Sequence, residues 1–219
     1  MPIPCTSFLL LAALASPPAC PDEGDMTFFQ GSQGFTGVGF FGDESFESCF
    51  AGPSFRKAST DEPMPPGRAM FWLGPILAQW QLVRSSAFQA PRGGSPKEVL
   101  DAHFAFEFGY LQELARQGKA RFSEAQQYEV IAKQGRDLRL RHFKIWQARV
   151  GSSLDGMQFW VTAAHPRGVV LLALMLGDQA DEPLARKVID SYLASFSGVD
   201  RKECQRLRQQ VERDLPKAR

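Results

Sequence analysis

The sequence predicts an α+β domain in which an antiparallel meander sheet packs with two long amphipathic helices. Three observations support this class: a helical pattern at residues 96–117, strand-like segments between residues 122 and 176, and a second helical pattern after Asp181. Apolar residues make up 44% of the chain and charged residues 22%, which is enough apolar material for one globular core.

The residues before position 71 are predicted to form a spacer with irregular strands. Five glycines between positions 31 and 42 oppose a helix, while phenylalanines among them offer apolar anchors. Residues 46–55 favour a strand that is interrupted at Gly52 and Pro53. Three prolines in residues 59–68 predict a loop, because proline removes a backbone donor.

A strand is predicted at residues 76–83, where apolar and mixed positions alternate. The first helix then begins with a typical capping sequence. The Ser95 side chain can accept a hydrogen bond from a backbone amide of the first turn, and Glu98 can complete a capping box. Pro96 suits the first helical position. Gly118 is expected to end this helix. The predicted buried stripe has helical spacing and consists of Leu100, Phe104, Phe108, Leu111 and Ala115.

The segment after the first helix is predicted to be a meander of strands. Residues 122–132 are compatible with a helix or a strand, and we predict a strand because Tyr128, Val130 and Ile131 favour extended backbone. Residues 134–137 predict a hairpin turn, and a change of apolar parity near His142 predicts a bulge. Residues 157–163 alternate as a strand, and residues 169–176 are wholly apolar, as expected of a central strand.

The second helix is predicted to be capped by Asp181 and to end at Gly198. The chain is therefore expected to divide into a leader at residues 1–20, the spacer at 21–70, a core domain at 71–198 and a polar helical tail at 199–219. The predicted buried stripe of the second helix consists of Leu184, Val188, Tyr192 and Phe196.

Residues 8–15 form an apolar run that is too short to span a bilayer and suits a secretory signal. Ala19 and Cys20 follow it, as in the processing site of bacterial lipoproteins, so Cys20 is the predicted lipidation residue. Two features oppose this interpretation: no basic residue precedes the run, and Pro17-Pro18 stands where that site has an aliphatic and a small residue. Translation from Met26 would instead give a cytoplasmic protein.

Cys49 and Cys204 remain if Cys5 leaves with the leader and Cys20 is acylated. They are the predicted disulfide of an envelope protein, with two unrelated thiols as the alternative, because spacing alone does not show that two cysteines are close. No closely spaced cysteine and histidine cluster is present in the sequence, so no metal site is predicted.

The three histidines are the candidates for hidden chemistry. His103 lies beside the apolar stripe of the first helix and is interpreted as a packing residue, because a catalytic base needs a positioned partner. His142 lies among basic residues, which indicates an anion-binding strand or a solvated face. His165 falls in a predicted turn. The sequence contains no nucleophile or nucleotide-binding motif, so no catalytic residue and no cofactor are predicted.

Tryptophans fall on the predicted strands and could line a ligand groove on the sheet. The predicted groove residues are Trp80, Trp146 and Trp160, together with His142. Core packing is the alternative, since aromatic side chains commonly fill the space between a sheet and its helices.

The order of elements resembles the PsbP/Mog-like superfamily, an α/β/α sandwich. The resemblance covers residues 71–198 and includes Ser195-Phe196, a pair that often ends the final helix of such proteins. The superfamily includes thylakoid PsbP proteins, a Ran-binding protein, bacterial DcrB-like lipoproteins and Eag-type secretion chaperones. It has no shared catalytic residues, so the resemblance implies a binding, scaffold or chaperone role.

A noncatalytic bacterial envelope protein, anchored by a lipid on Cys20 and binding a protein or assembly partner, is therefore the leading functional hypothesis. The alternatives are a cytoplasmic secretion-effector chaperone, and a small-ligand-binding protein or enzyme that uses an aromatic groove. Nucleic acid is not an expected partner, because the net charge is +1 and the basic residues are interspersed with acidic ones.

Overall fold

The computed structural model describes residues 24, 26–31, 34–41, 44–51, 54–58, 64–119, 121–123, 126–131, 142–150, 156–165 and 167–199. The early strands are β1 (Met26–Gly31), β2 (Gly34–Phe41), β3 (Glu44–Ala51), β4 (Phe55–Lys57), β5 (Arg68–Leu73) and β6 (Ile76–Arg84). Helix α1 (Pro96–Arg116) follows, then β7 (Gln126–Ile131), β8 (His142–Val150), β9 (Gly156–His165) and β10 (Gly168–Leu176). Helix α2 (Glu182–Ser195) and β11 (Ser197–Val199) complete the order.

The strands form two antiparallel sheets. The large sheet has the order β4-β5-β6-β10-β9-β8-β7, and the small sheet has the order β1-β2-β3-β11. Strand β10 lies at the centre of the large sheet and is buried along nearly its whole length. The predicted α+β class and the predicted apolar central strand are therefore confirmed.

Alternation along the strands gives the large sheet two different apolar faces. One face packs under α1 and includes Trp146, Trp160 and Leu171. The opposite face includes Trp80 and Phe159 and packs against α2 and the small sheet. The large sheet is thus the middle layer, with α1 on one side and a mixed layer on the other.

Residues before position 71 contribute regular strands to both sheets. Strands β1, β2 and β3 form three of the four strands of the small sheet, and β5 already begins at Arg68. Gly37 lets β2 approach the large sheet closely, because a Cβ atom there would lie 2.8 Å from the Phe50 ring and 2.9 Å from the Trp80 ring. Apolar packing therefore orders a region that the sequence predicts to be an irregular spacer.

The predicted start of α1 is confirmed in detail. The Glu98 backbone amide donates to Ser95 Oγ at 3.3 Å, and the Ser95 amide donates back to Glu98 Oε2 at 2.7 Å. Within the predicted stripe, Leu100 is fully buried, and the Phe104 ring packs edge-on against Trp146 with centroids 5.1 Å apart. His103 faces the same core and is also buried.

The predicted N-cap position of the second helix, Asp181, is confirmed, whereas the predicted end at Gly198 is wrong. Asp181 occupies the N-cap position without a side-chain capping bond, whereas Asp178 accepts from the Ala180 amide at 2.8 Å and caps the 3₁₀ turn Gln179–Asp181 that leads into α2. The helix ends at Ser195, and Gly198 lies in β11 opposite Phe46. Pairing with β3 therefore draws the chain out of the helix earlier than its sequence pattern indicates.

Strand β7 confirms the extended interpretation of residues 122–132. The predicted hairpin turn at residues 134–137, residue 141 at the predicted bulge and the tail from residue 200 lie outside the described residues. Cys20 and Cys204 also lie outside them, so lipidation and the Cys49–Cys204 disulfide stay predictions. Within the part of the chain that is described, no helix has both the length and the apolar composition needed to cross a membrane.

Candidate functional site

The predicted groove tryptophans lie on opposite faces of the large sheet. Trp80 is fully buried beneath α2, where its Nε1 donates to the Tyr192 hydroxyl at 3.4 Å. Trp146 and Trp160 are paired across β8 and β9 on the α1 face. Their rings stack with centroids 3.8 Å apart and planes 4° from parallel. The structure therefore brings two of the three together and places the third in another core.

His142 is partly buried at the start of β8, two residues before Lys144. The Lys144 side chain is 8% exposed and donates to Asp101 Oδ1 of α1 at 2.5 Å. Its ammonium also lies 4.7 Å from the centre of the Phe104 ring. Lys144 thus joins β8 to α1 through an ion pair and a cation–π contact, which is a structural role.

Three polar side chains lie on the α1 side of the large sheet, and we name them the α1 cluster: Arg68 of β5, and His103 and Glu107 of α1. Arg68 lies opposite Gln81 of β6, and Gln81 lies opposite Leu171 of β10. Leu171 packs in the core beneath α1, so Arg68 is on the α1 face of the sheet.

The α1 cluster contains buried polar atoms that lack hydrogen-bond partners among the described residues. These atoms are Nε of Arg68 and both ring nitrogens of His103. His103 Nε2 lies 3.5 Å from Glu107 Oε1, one helical turn later, but outside hydrogen-bond geometry. Buried polar atoms are nearly always paired, so these three unpaired atoms call for an explanation.

The charges of the α1 cluster follow from its burial. Burial lowers the pKa of His103 to about 4, so the imidazole is neutral near pH 7. Burial raises the pKa of Glu107 above its ordinary value, and the nearby positive charge of Arg68 partly offsets this increase. The cluster therefore contains a cation, a carboxyl group and a neutral imidazole.

A partly exposed apolar surface adjoins the cluster. Phe104 marks the flank of α1 that faces β8, whereas Phe106 and Tyr110 lie on the other flank, beside Glu107. Their side chains are 46% and 58% exposed. Partly buried apolar residues of β5 and β6 share the α1 face of the sheet. We name the combined set the α1–β5 surface: Met70, Trp72, Leu77, Phe106 and Tyr110.

A separate cavity of about 290 Å³ lies where the loop after β6 meets the start of α1 and the end of β9. Its wall is mainly proline, glycine and apolar residues, with Ser85 and His165 among the polar members. His165 Nδ1 already accepts from the Arg167 amide at 3.1 Å, and its ring packs edge-on against Phe41 and Phe46. This histidine is therefore occupied in holding the turn between β9 and β10.

Residues 24–199, apart from their undescribed gaps, contain no group of three or more histidine, cysteine, aspartate or glutamate side chains placed to hold a metal ion. The sequence interpretation missed Arg68, which falls at the end of a predicted loop, and Glu107, which lies within the predicted apolar stripe of α1. The four-residue spacing of His103 and Glu107 on a helix that buries one face was the available signal.

The chain matches no protein-family model and no curated protein. Among solved structures it is similar to the solution structure of cyanobacterial PsbP (CyanoP) from Synechocystis sp. PCC 6803, with 11% identity and a TM-score of 0.44. The alignment covers 80% of this chain and 93% of that chain. At this level of similarity, no functional property of that protein is assigned to this chain.

Proposed function

We propose that the protein is a noncatalytic binding protein of the bacterial cell envelope that docks a protein partner on its α1–β5 surface. The observation that carries this proposal is the exposure of Phe106 and Tyr110 on one flank of α1, whereas Val99 and Leu100 of the same helix are buried. Aromatic side chains are enriched in protein interfaces, where they bury large areas at little entropic cost.

The partner is expected to present an apolar segment to this surface. Met70, Trp72 and Leu77 are partly buried apolar residues on the α1 face of the sheet, and the Arg56 guanidinium lies 5.5 Å from the Trp72 ring. A patch of apolar residues with a charged rim is typical of a docking site. An open surface suits a protein better than a small molecule, which usually binds in an enclosed pocket.

The envelope location is supported by the apolar run at residues 8–15 and by Cys20 after it. A lipid on Cys20 would supply the link to the membrane. The partner would then be another envelope protein, held within reach of the same membrane surface.

Site-specific photo-crosslinking in growing cells tests the docking surface. A benzophenone amino acid replaces Phe106 or Tyr110, and the matched control carries it at Gln112, which is exposed on the opposite side of α1. We expect the same crosslinked protein from positions 106 and 110 and none from position 112. With that partner purified, alanine at position 106 or 110 should each weaken binding by about tenfold, as for central interface aromatics.

Equal crosslinking from all three positions, or none from positions 106 and 110, would contradict the docking surface. A crosslinked product that contains a membrane segment of a secreted effector would instead favour the secretion-chaperone alternative.

A further inference from the structure

We propose that the cavity at the start of α1 is a binding site for a small carboxylate that carries one ring. The ring would occupy the apolar part of the cavity, and the carboxylate would face the arginines of its surrounding segments. The cavity adjoins Val99 in the first turn of α1, whereas Phe106 and Tyr110 lie two and three turns further along the helix. The inference therefore does not depend on the proposed protein partner.

The size and the wall of the cavity favour an apolar ring. Its volume of about 290 Å³ is at the lower end of the range for small-molecule sites, which is roughly 300–1,000 Å³. Six of the wall residues are apolar or glycine: Pro91, Gly93, Gly94, Pro96, Val99 and Ala164. An apolar cavity of about 150 Å³ holds benzene, so this one has room for a ring and a short side chain.

The loop that encloses the cavity is held by its own backbone. The Ala90 amide donates to the Ser85 carbonyl at 3.1 Å, and the Gly94 amide donates to the Pro91 carbonyl at 3.1 Å. A Cβ atom at position 94 would lie 2.7 Å from Pro91 Cγ, so glycine allows this close approach. The cavity is therefore formed by the fold itself, as most small-molecule sites are.

Two exposed arginines belong to the segments that form the wall. Arg92 stands in the chain between the wall residues Pro91 and Gly93. Arg167 is joined to the wall, because its carbonyl oxygen accepts from the Ser85 amide at 2.8 Å. Guanidinium groups bind carboxylates through charge-assisted hydrogen bonds. The arginines therefore favour a ligand with a negative charge over one with a positive charge.

The acidic side chains in the first turns of α1 are already engaged. Glu98 accepts from the Ser95 amide at 2.7 Å and from the Ser95 hydroxyl at 2.8 Å. Asp101 accepts from the ammonium groups of both Lys97 and Lys144. Both carboxylates therefore serve the helix and its contact with β8, and the arginines determine the charge of the ligand.

Isothermal titration calorimetry of the full chain with three probes tests the proposal. The probes are phenylacetate, acetate, which lacks the ring, and phenethylamine, which has the ring with the opposite charge. Phenylacetate should bind with a Kd below about 1 mM and at least about tenfold more tightly than either control, because only phenylacetate satisfies both the apolar wall and the arginines.

Variants assign the parts of the site. Val99→Phe fills the cavity and should weaken phenylacetate binding by at least about tenfold. Arg92→Gln and Arg167→Gln should each weaken it by about two- to fivefold, as for exposed charge pairs. Arg116→Gln makes the same chemical change at the far end of α1 and should leave binding unchanged. Circular dichroism verifies that each variant is folded.

The proposal is overturned if the wild-type chain does not bind phenylacetate at about 10 mM, or binds acetate or phenethylamine as tightly. It is also overturned if a folded Val99→Phe chain retains full affinity, or if Arg116→Gln loses as much as Arg92→Gln. Should Val99→Phe fail to fold, NMR titration of the wild-type chain decides the matter. Phenylacetate should then shift the amides of Gly93 and Gly94 most, and the largest shifts away from the wall would exclude the site.

Discussion

His103 illustrates how one buried side chain couples the fold to pH. It lies on α1 with its ring enclosed by the core, next to Phe88 and Glu107. A neutral imidazole is tolerated there, but a protonated one would place a charge where water cannot reach it. The site therefore keeps the proton off the ring to a pH well below that of an exposed histidine.

This gives a prediction for stability against pH. The unfolded chain protonates His103 near pH 6.5, whereas the folded chain does so only near pH 4. Between these values the unfolded state binds more protons, so the free energy of unfolding falls as pH falls. The full loss should be about 3 kcal/mol, and it can be measured by urea unfolding from pH 7 to pH 4.

His103→Leu should flatten this slope, while His142→Gln at the start of β8 is the control that should retain it. Glu107 acts in the opposite direction, because burial raises its pKa and the folded state then takes up a proton before the unfolded state. Measuring His103→Leu in both the wild-type and the Glu107→Gln backgrounds separates the contribution of His103 to the pH slope from that of Glu107. An unchanged slope in His103→Leu would show that another group controls it.

The residues of the α1 cluster are only partly predictable from the sequence. His103 was identified as a candidate, but its full burial depends on Phe88 and on the sheet beneath α1. The register of β5, β6 and β10 puts Arg68 on the same side of the sheet as His103, which no local pattern reveals. A site assembled from a strand and a helix more than thirty residues apart needs the tertiary structure.

At the scale of elements, the two helices begin in different ways. Helix α1 has a complete capping box at Ser95, and α2 follows a 3₁₀ turn whose cap is Asp178. Both aspartates before α2 precede residues that can start a helix, so the sequence does not distinguish them. The structure distinguishes them, because the Asp178 side chain accepts a hydrogen bond from a backbone amide and the Asp181 side chain makes no capping bond.

Alanine substitutions test this assignment. Loss of a helix-capping side chain costs about 1 kcal/mol, so Asp178→Ala should destabilise the protein by roughly that amount. Asp181→Ala should have a smaller effect, because no capping bond is lost. The free energies of unfolding of the two variants provide the comparison, and a larger loss for Asp181→Ala would contradict the structure.

Elements with strong local patterns were predictable, including α1 and strands β6, β9 and β10. The small sheet was not, because its strand β2 contains three glycines and its fourth strand comes from the other end of the chain. Strand β11 has three residues and exists through its pairing with β3. Long-range pairing of this kind overrides local propensity.

At the scale of the whole molecule, one sheet separates two aromatic cores. The predicted class of fold follows from the order of periodic segments, which the sequence displays. The face on which each tryptophan lies depends on strand register, and Trp146 and Trp160 meet because β8 and β9 align them. The sequence therefore predicted the layers better than it predicted which residues share a face.

Intact mass of the native protein, with and without reductant, tests the predictions that concern the whole chain. An exported lipoprotein should lack residues 1–19 and carry a lipid mass on Cys20. If Cys49 and Cys204 form a disulfide, reduction should increase the mass of the protein by two hydrogen atoms. A product that starts at Met26 without lipid would contradict the envelope proposal, and an unchanged mass on reduction would contradict the disulfide.

The stacked indoles of Trp146 and Trp160 also give the protein two optical reporters. Rings that lie 3.8 Å apart and nearly parallel are close enough to couple their excited states, so the α1 side has its own spectroscopic signal. Trp80, hydrogen-bonded to Tyr192 behind the sheet, reports on the other side. The coupled signal of the stacked pair, which Trp146→Phe should remove, would therefore let the loosening of the α1 side be followed as the protein is heated.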